Sequence, residues 1–136
     1  LNTIRNEIDR LLQERKPDAV GDLPGICVVK SMQDVAGDCS CYVFNDIFAL
    51  DIQNMWETYL HAKEHWEMVE EPLSGDLVIY YQDIEKSPKH FGVVRGPGLI
   101  ESKFGYAHVY RHPLFAVPTF YGDIVRYYRK PKGNIK

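Results

Sequence analysis

GDLVIYYQDIEKSPKHFGVVRGPGLIESKF, residues 75–104, decides the fold. Leu77 to Tyr81 is a short run of branched and aromatic residues that follows Pro72 and Gly75, and it reads as a strand with Asp76 at its start. Gln82 to Lys89 is a polar loop containing Pro88, and His90-Phe91-Gly92-Val93-Val94 is a second strand. Arg95-Gly96-Pro97-Gly98 is a hairpin turn whose register the sequence leaves open, and Leu99 to Phe104 is a third strand. Farther on, a connection rich in Tyr, His and Pro has room for one more short strand, and Asp123 to Arg129 closes the series after Gly122. Consecutive strands joined by short turns pair with their chain neighbours, so the expected sheet is mainly antiparallel.

Upstream of this stretch the period changes from two to 3.6. Ile4, Ile8, Leu11 and Leu12 form an apolar stripe on an amphipathic helix at about residues 2–16, which Pro17 ends. Residues 17–25 hold Pro17, Gly21, Pro24 and Gly25 and read as loop, and Ile26-Cys27-Val28-Val29 as a short strand. From Asp38 a second helix carries Cys39, Val43, Ile47 and Leu50 on one face, and residues 51–69 continue helically with Ile52, Met55, Trp56, Tyr59 and Leu60. Helices followed by strands give an α+β class, with the N-terminal helices packed on one face of the sheet. A chain of 136 residues fits a single domain spanning 1–136.

Composition narrows the function classes. A formal charge of −3 offers no general field for nucleic acid, and Arg126, Arg129, Lys130, Lys132 and Lys136 make only a short basic tail. No apolar run reaches the length of a membrane span, so no membrane insertion is expected. The three cysteines cannot all pair, and a free thiol favours a reducing, cytoplasmic setting. A leader removed ahead of Leu1 would instead place the protein in the envelope or outside the cell.

Chemistry concentrates at Gly37-Asp38-Cys39-Ser40-Cys41-Tyr42. Asp38 is a suitable N-cap, and Cys39 falls in the first helical turn, where unpaired amides and the helix dipole favour a thiolate. Cys41 lies about 200° around the helix from Cys39, so the two sulfurs cannot serve one cleft. Gln33, six residues before Cys39, could return its amide to an oxyanion. His90 opens a later strand and Glu101 lies on the following one, so a thiol, an imidazole base and an orienting acceptor come within reach of a common site.

Asp38-Cys39-Ser40, then Leu73-Ser74-Gly75-Asp76-Leu77-Val78-Ile79-Tyr80, then His90-Phe91-Gly92-Val93-Val94 resemble, in order and spacing, the motifs of the NlpC/P60 superfamily of papain-like cysteine hydrolases. The resemblance covers residues 33–129 and implies a papain-like α+β fold with Cys39 as nucleophile and His90 as base. Glu101 stands on the strand where that family places its third polar member. Gln33, Ser40 and Tyr42 fall on the oxyanion and substrate-binding side. The implied partner is a peptide or other acyl-amide substrate, including peptidoglycan peptides and isopeptides. Neither metal nor cofactor is needed, because a thiolate supplies the nucleophile.

Two other classes fit parts of the sequence. A non-catalytic binding module would keep the fold and use Tyr106, Tyr110, Tyr121, His108 and His112 as an aromatic patch. A metal-dependent hydrolase would need His108, His112 and a carboxylate, with no third ligand placed by the spacing. His61 and His65 are four apart but lack the His-Glu-x-x-His order, and they read as a solvated helix face.

Overall fold

The computed structural model describes residues 2–50 and 54–132. Ile52, read into the third helix, and Lys136 of the basic tail lie outside the described residues. Four helical segments precede and flank one sheet: α1 (Asn2–Gln13), α2 (Pro17–Val20), α3 (Cys39–Cys41) running directly into a π-helical turn at Tyr42–Ile47, and α4 (Met55–His65). The strands are β1 (Cys27–Lys30), β2 (Glu67–Val69), β3 (Leu77–Tyr81), β4 (His90–Gly96), β5 (Leu99–Lys103), β6 (Val109–Pro113) and β7 (Ile124–Arg129). The seven strands lie in the order β1-β6-β5-β4-β3-β7-β2, and every pairing is antiparallel. Strands β3 to β6 form a meander, as the short turns between them predict. The α+β class and the antiparallel sheet therefore follow the sequence reading.

Helices cover both faces of the sheet, where the sequence suggested one. Ile8 and Leu11 of α1 and Val20 of α2 pack with Val78, Tyr80, Val94 and Ile100. On the other face Tyr42, Val43 and Phe44, with Tyr59 and Ala62 of α4, pack with Leu77, Ile79 and Phe91. All five residues of β3 are buried. A strand covered on both faces loses the alternation of polar and apolar residues, which explains the unbroken Leu-Val-Ile-Tyr-Tyr run.

Other boundaries also differ from the expectation. Residues 17–25 contain the single turn α2. The second helix stops at Ile47, followed by Ala49 with φ +57°. Its π-helical turn buries three consecutive side chains, Tyr42, Val43 and Phe44, which a regular 3.6-residue stripe does not do. Helix α4 ends at His65, and Glu67–Val69 leaves it to become an edge strand beside β7, with Met68 opposite Tyr128. That acidic stretch has helical composition, and the free edge of β7 overrides it. No helix among the described residues is long and apolar enough to cross a membrane.

Candidate active site

Cys39 is set in place by its flanks. The Asp38 carboxylate accepts from the Ser40 amide at 3.0 Å, the Ser40 hydroxyl at 2.6 Å and the Cys41 amide at 3.3 Å, so the helix start is firmly capped. Burial pushes the Asp38 carboxyl upward, but these bonds outweigh it and hold the group below its ordinary value. Gly37 has φ +77°, and a Cβ there would sit 2.7 Å from both Cβ and Sγ of Cys41. The Cys41 side chain thus folds back on the approach loop. Cys39 packs instead against the α3 side of the sheet.

The Cys39 sulfur lies at the start of β4, where the Phe91 amide faces it. Burial pushes this thiol up to about 12; the Phe91 amide opposes the shift and the Asp38 charge adds to it. The resting group is a protonated thiol, where the sequence suggested a thiolate. Desolvation outweighs the favourable amides of the first turn.

His90 is the first residue of β4 and is fully buried. Tyr121 lies flat on its ring, with centroids 3.9 Å apart and planes 8° apart, while Tyr80 and Phe104 enclose it at 5.3 and 6.0 Å. Neither ring nitrogen has a hydrogen-bond partner among the described residues. Burial first, and the neighbouring His112 second, hold His90 well below the ordinary histidine range, so it is neutral. Tyr121, Tyr80 and Phe104 around His90 belong to the α1 face of the sheet, whereas Cys39 packs with Phe91 on the other face, so the structure does not bring the two side chains onto one face.

Glu101 does not reach His90. The Val93↔Glu101 pair places Glu101 on the face of Phe91 and Val93, whereas His90 shares the opposite face with Gly92 and Val94. Glu101 accepts from the Tyr42 hydroxyl, from Arg111 Nε at 2.8 Å and from Arg95 at 3.4 Å. Burial raises its carboxyl, and these donors outweigh burial to leave it below its ordinary value. The register depends on an irregularity between Val94 and Gly96, which residue types alone do not fix.

The expected oxyanion and substrate groups are also placed elsewhere. Gln33 is exposed on a short 3₁₀ turn, Met32–Asp34, and its backbone amide donates to Ser31 Oγ. Ser40 is buried with its hydroxyl on Asp38, and Tyr42 is fully buried with its hydroxyl on Glu101. His108 and His112 do not converge. His108 Nδ1 accepts from the Met32 amide at 2.9 Å, and its Nε2 lies 2.6 Å from Asp18. His112 Nδ1 donates to the Pro113 carbonyl at 2.8 Å, leaving Nε2 to accept from the Ser102 hydroxyl at 2.7 Å. His61 and His65 lie side by side on exposed turns of α4, with His65 3.1 Å from Glu64. A surface cavity of about 290 Å³ is lined by Leu50, His61, His65, Trp66, Lys130 and Pro131, and by neither Cys39 nor His90.

Two residues of this neighbourhood carried little sequence signal. Tyr121 was one aromatic among many in a Pro-rich connection. Lys103 shares strand parity with Glu101, but only the packing shows that it is buried.

The two buried histidines make stability depend on pH. Burial lowers His112 to about 4 and lowers His90 in the same direction. The unfolded chain takes up these protons near pH 6.5 and the folded chain does not, so acid favours unfolding. Stability is full above pH 6.5 and declines below it. By pH 5, His112 alone removes about 2 kcal/mol. Urea unfolding at pH 7 and pH 5 checks this; equal unfolding free energies would contradict it.

No known protein family, curated protein or solved structure matches this chain.

Proposed function

We propose that this chain is a thiol hydrolase of the NlpC/P60-like, papain-like kind, with Cys39 as nucleophile and His90 as base. What supports the reading is that the start of the cysteine helix packs on β4, the strand that His90 opens. The Cys39 sulfur also lies at the amide of Phe91, the residue after His90.

A neutral imidazole and a protonated thiol are the two reactants of the first step. Once the start of β4 turns His90 toward the Cys39 face, Cys39 gives its proton to His90, and sulfur bonds to the acyl carbon as the carbonyl electrons move to oxygen. The tetrahedral centre collapses and expels an amine or alcohol, which takes the proton back from His90. Water then attacks the thioester, passing its proton to His90, which returns it to the departing sulfur. In the resting structure Tyr121 orients the imidazole by stacking, in the role that a carboxylate has in a hydrogen-bonded triad. The Tyr121 ring must lift from His90 to admit substrate. The favoured substrate is a peptide amide, and the thiol chemistry needs neither metal nor cofactor.

The enclosure of both His90 nitrogens favours one other reading, a binding module that retains the fold without turnover. Assay of the protein on peptidoglycan fragments, isopeptides and simple acyl esters, with EDTA present, separates the two. The hydrolase releases amine or alcohol with EDTA present. Absence of release from all three classes, with Cys39 no more reactive toward electrophiles than a buried thiol, supports the module.

A further inference from the structure

The Glu67↔Arg129 pair of β2 and β7 marks the place where the two strands part. One residue before it, Trp66 leaves α4 in extended backbone; one residue after it, Lys130 lies level with Trp66. With the last turns of α4 they enclose the cavity of about 290 Å³ lined by Leu50, His61, His65, Trp66, Lys130 and Pro131. Its walls divide by chemistry. Leu50, Pro131 and the Trp66 indole are apolar, and an edge contact with Phe48, at 5.1 Å between centroids, holds the indole in place. His61 and His65 stand one helical turn apart with ring centroids 4.6 Å apart. Among the described residues Lys130 forms no ion pair, and neither the Trp66 indole N–H nor the His61 ring forms a hydrogen bond. No carboxylate among the described residues lines this cavity.

We propose that this cavity binds a small aromatic carboxylate, with its ring against Trp66 and Pro131 and its carboxylate on Lys130. The Lys130 ammonium, the Trp66 indole N–H and an imidazole N–H of His61 are donors in one wall, and a single anionic group answers them together. The remaining wall asks for an apolar body, which an inorganic anion lacks. The volume stands at the low end of small-molecule sites and suits one ring. A histidine pair one turn apart also suits a divalent cation, but Lys130 in the same wall opposes one. The surrounding charges leave Lys130 unmatched. Glu64 lies 3.1 Å from His65. An adjoining hollow of about 400 Å³ shares Trp66 and Lys130 and adds Glu67 and Lys132, which offset each other. Arg129, in that hollow, is held by Asp76 at 2.8–2.9 Å. The proposal is independent of Cys39, which does not line the cavity.

The test titrates isotope-labelled protein with phenylpropionate and follows the indole N–H resonances of Trp56 and Trp66, assigned with W56F. The expected result is a saturable shift of the Trp66 resonance with a Kd of about 1 mM or tighter. Phenylpropionamide has the same shape without the charge and binds at least about fivefold more weakly; K130Q loses about as much affinity for the acid. Equal binding of acid and amide by the wild type overturns the proposal, whether or not the variant folds. No saturable Trp66 shift up to about 20 mM acid also overturns it. So does zinc chloride that moves the His61 and His65 resonances where the acid moves nothing, since the cavity then takes a cation. A free acid and a chain ending in an aromatic residue present the same chemistry, and N-acetylglycylphenylalanine separates them. Tighter binding than phenylpropionate assigns the chain end, and weaker binding assigns the free acid.

Discussion

On the proposed hydrolase reading, C39A is expected to lose acyl hydrolysis by at least about 1,000-fold, while C27A and C41A stay near wild type. Cys39 is the cysteine that packs against β4, the strand that His90 opens. Cys41 turns back on Gly37, and Cys27 lies exposed on an edge strand. The loss is large because no hydroxyl or second thiol occupies that position once the sulfur is gone. C39S separates size from chemistry: it preserves packing and still loses most activity, because a buried hydroxyl ionises less readily than a thiol. Turnover on whichever ester or amide the wild type accepts gives the comparison. Activity retained by C39A and lost by C41A would reverse the assignment.

R5A lowers the unfolding free energy by about 3–5 kcal/mol. Arg5 of α1 is a buried guanidinium that donates to the carbonyls of Val117, Pro118 and Gly122 at 3.0–3.1 Å and pairs with Asp123. Its removal takes a buried donor from three carbonyls, of which Pro118's still accepts from the Tyr121 amide. These carbonyls belong to the segment that carries Tyr121. Gly122, with φ +93°, lies so close to the Tyr81 carbonyl that a side chain there would collide with it. Losing Arg5 therefore loosens the cover on His90 as well as the fold. Urea unfolding measures the first effect, and faster modification of His90 by diethyl pyrocarbonate measures the second. D123A costs under about 1 kcal/mol, because its carboxylate is 83% exposed. An R5A loss within 1 kcal/mol of wild type would show that α1 is not the clamp.

The strands were legible because local rules fix them. The apolar run 77–81, the Gly-Pro-Gly turn and the run 99–103 each carry their own signal, and consecutive order then implies the meander. Cys39, its Asp38 cap and His90 were legible for the same reason, since each stands at the start of an element. Relations between elements were not. Whether Glu101 faces His90 depends on one irregularity in the β4–β5 hairpin, and that parity places it with Tyr42, Arg95 and Arg111 instead. The thiol's protonation depends on burial by residues far away in the chain, so a helix start alone misjudged it. Nothing around Arg5 in the sequence marks it as buried, because its acceptors lie more than 110 residues downstream. The turn to strand at Glu67 was hidden because an edge strand needs only a partner with free backbone groups, whatever its own propensity.

The central claim is that Cys39 becomes acylated with His90 as its base. The measurement that meets it most directly is acid-quenched mass spectrometry after mixing the protein with an activated acyl ester at neutral pH. The expected result is one acyl group on Cys39 in wild type, none at that position in C39A, and formation slowed at least about 100-fold in H90A. Acylation confined to Cys27 or to surface lysines, with Cys39 unmodified, would contradict the account.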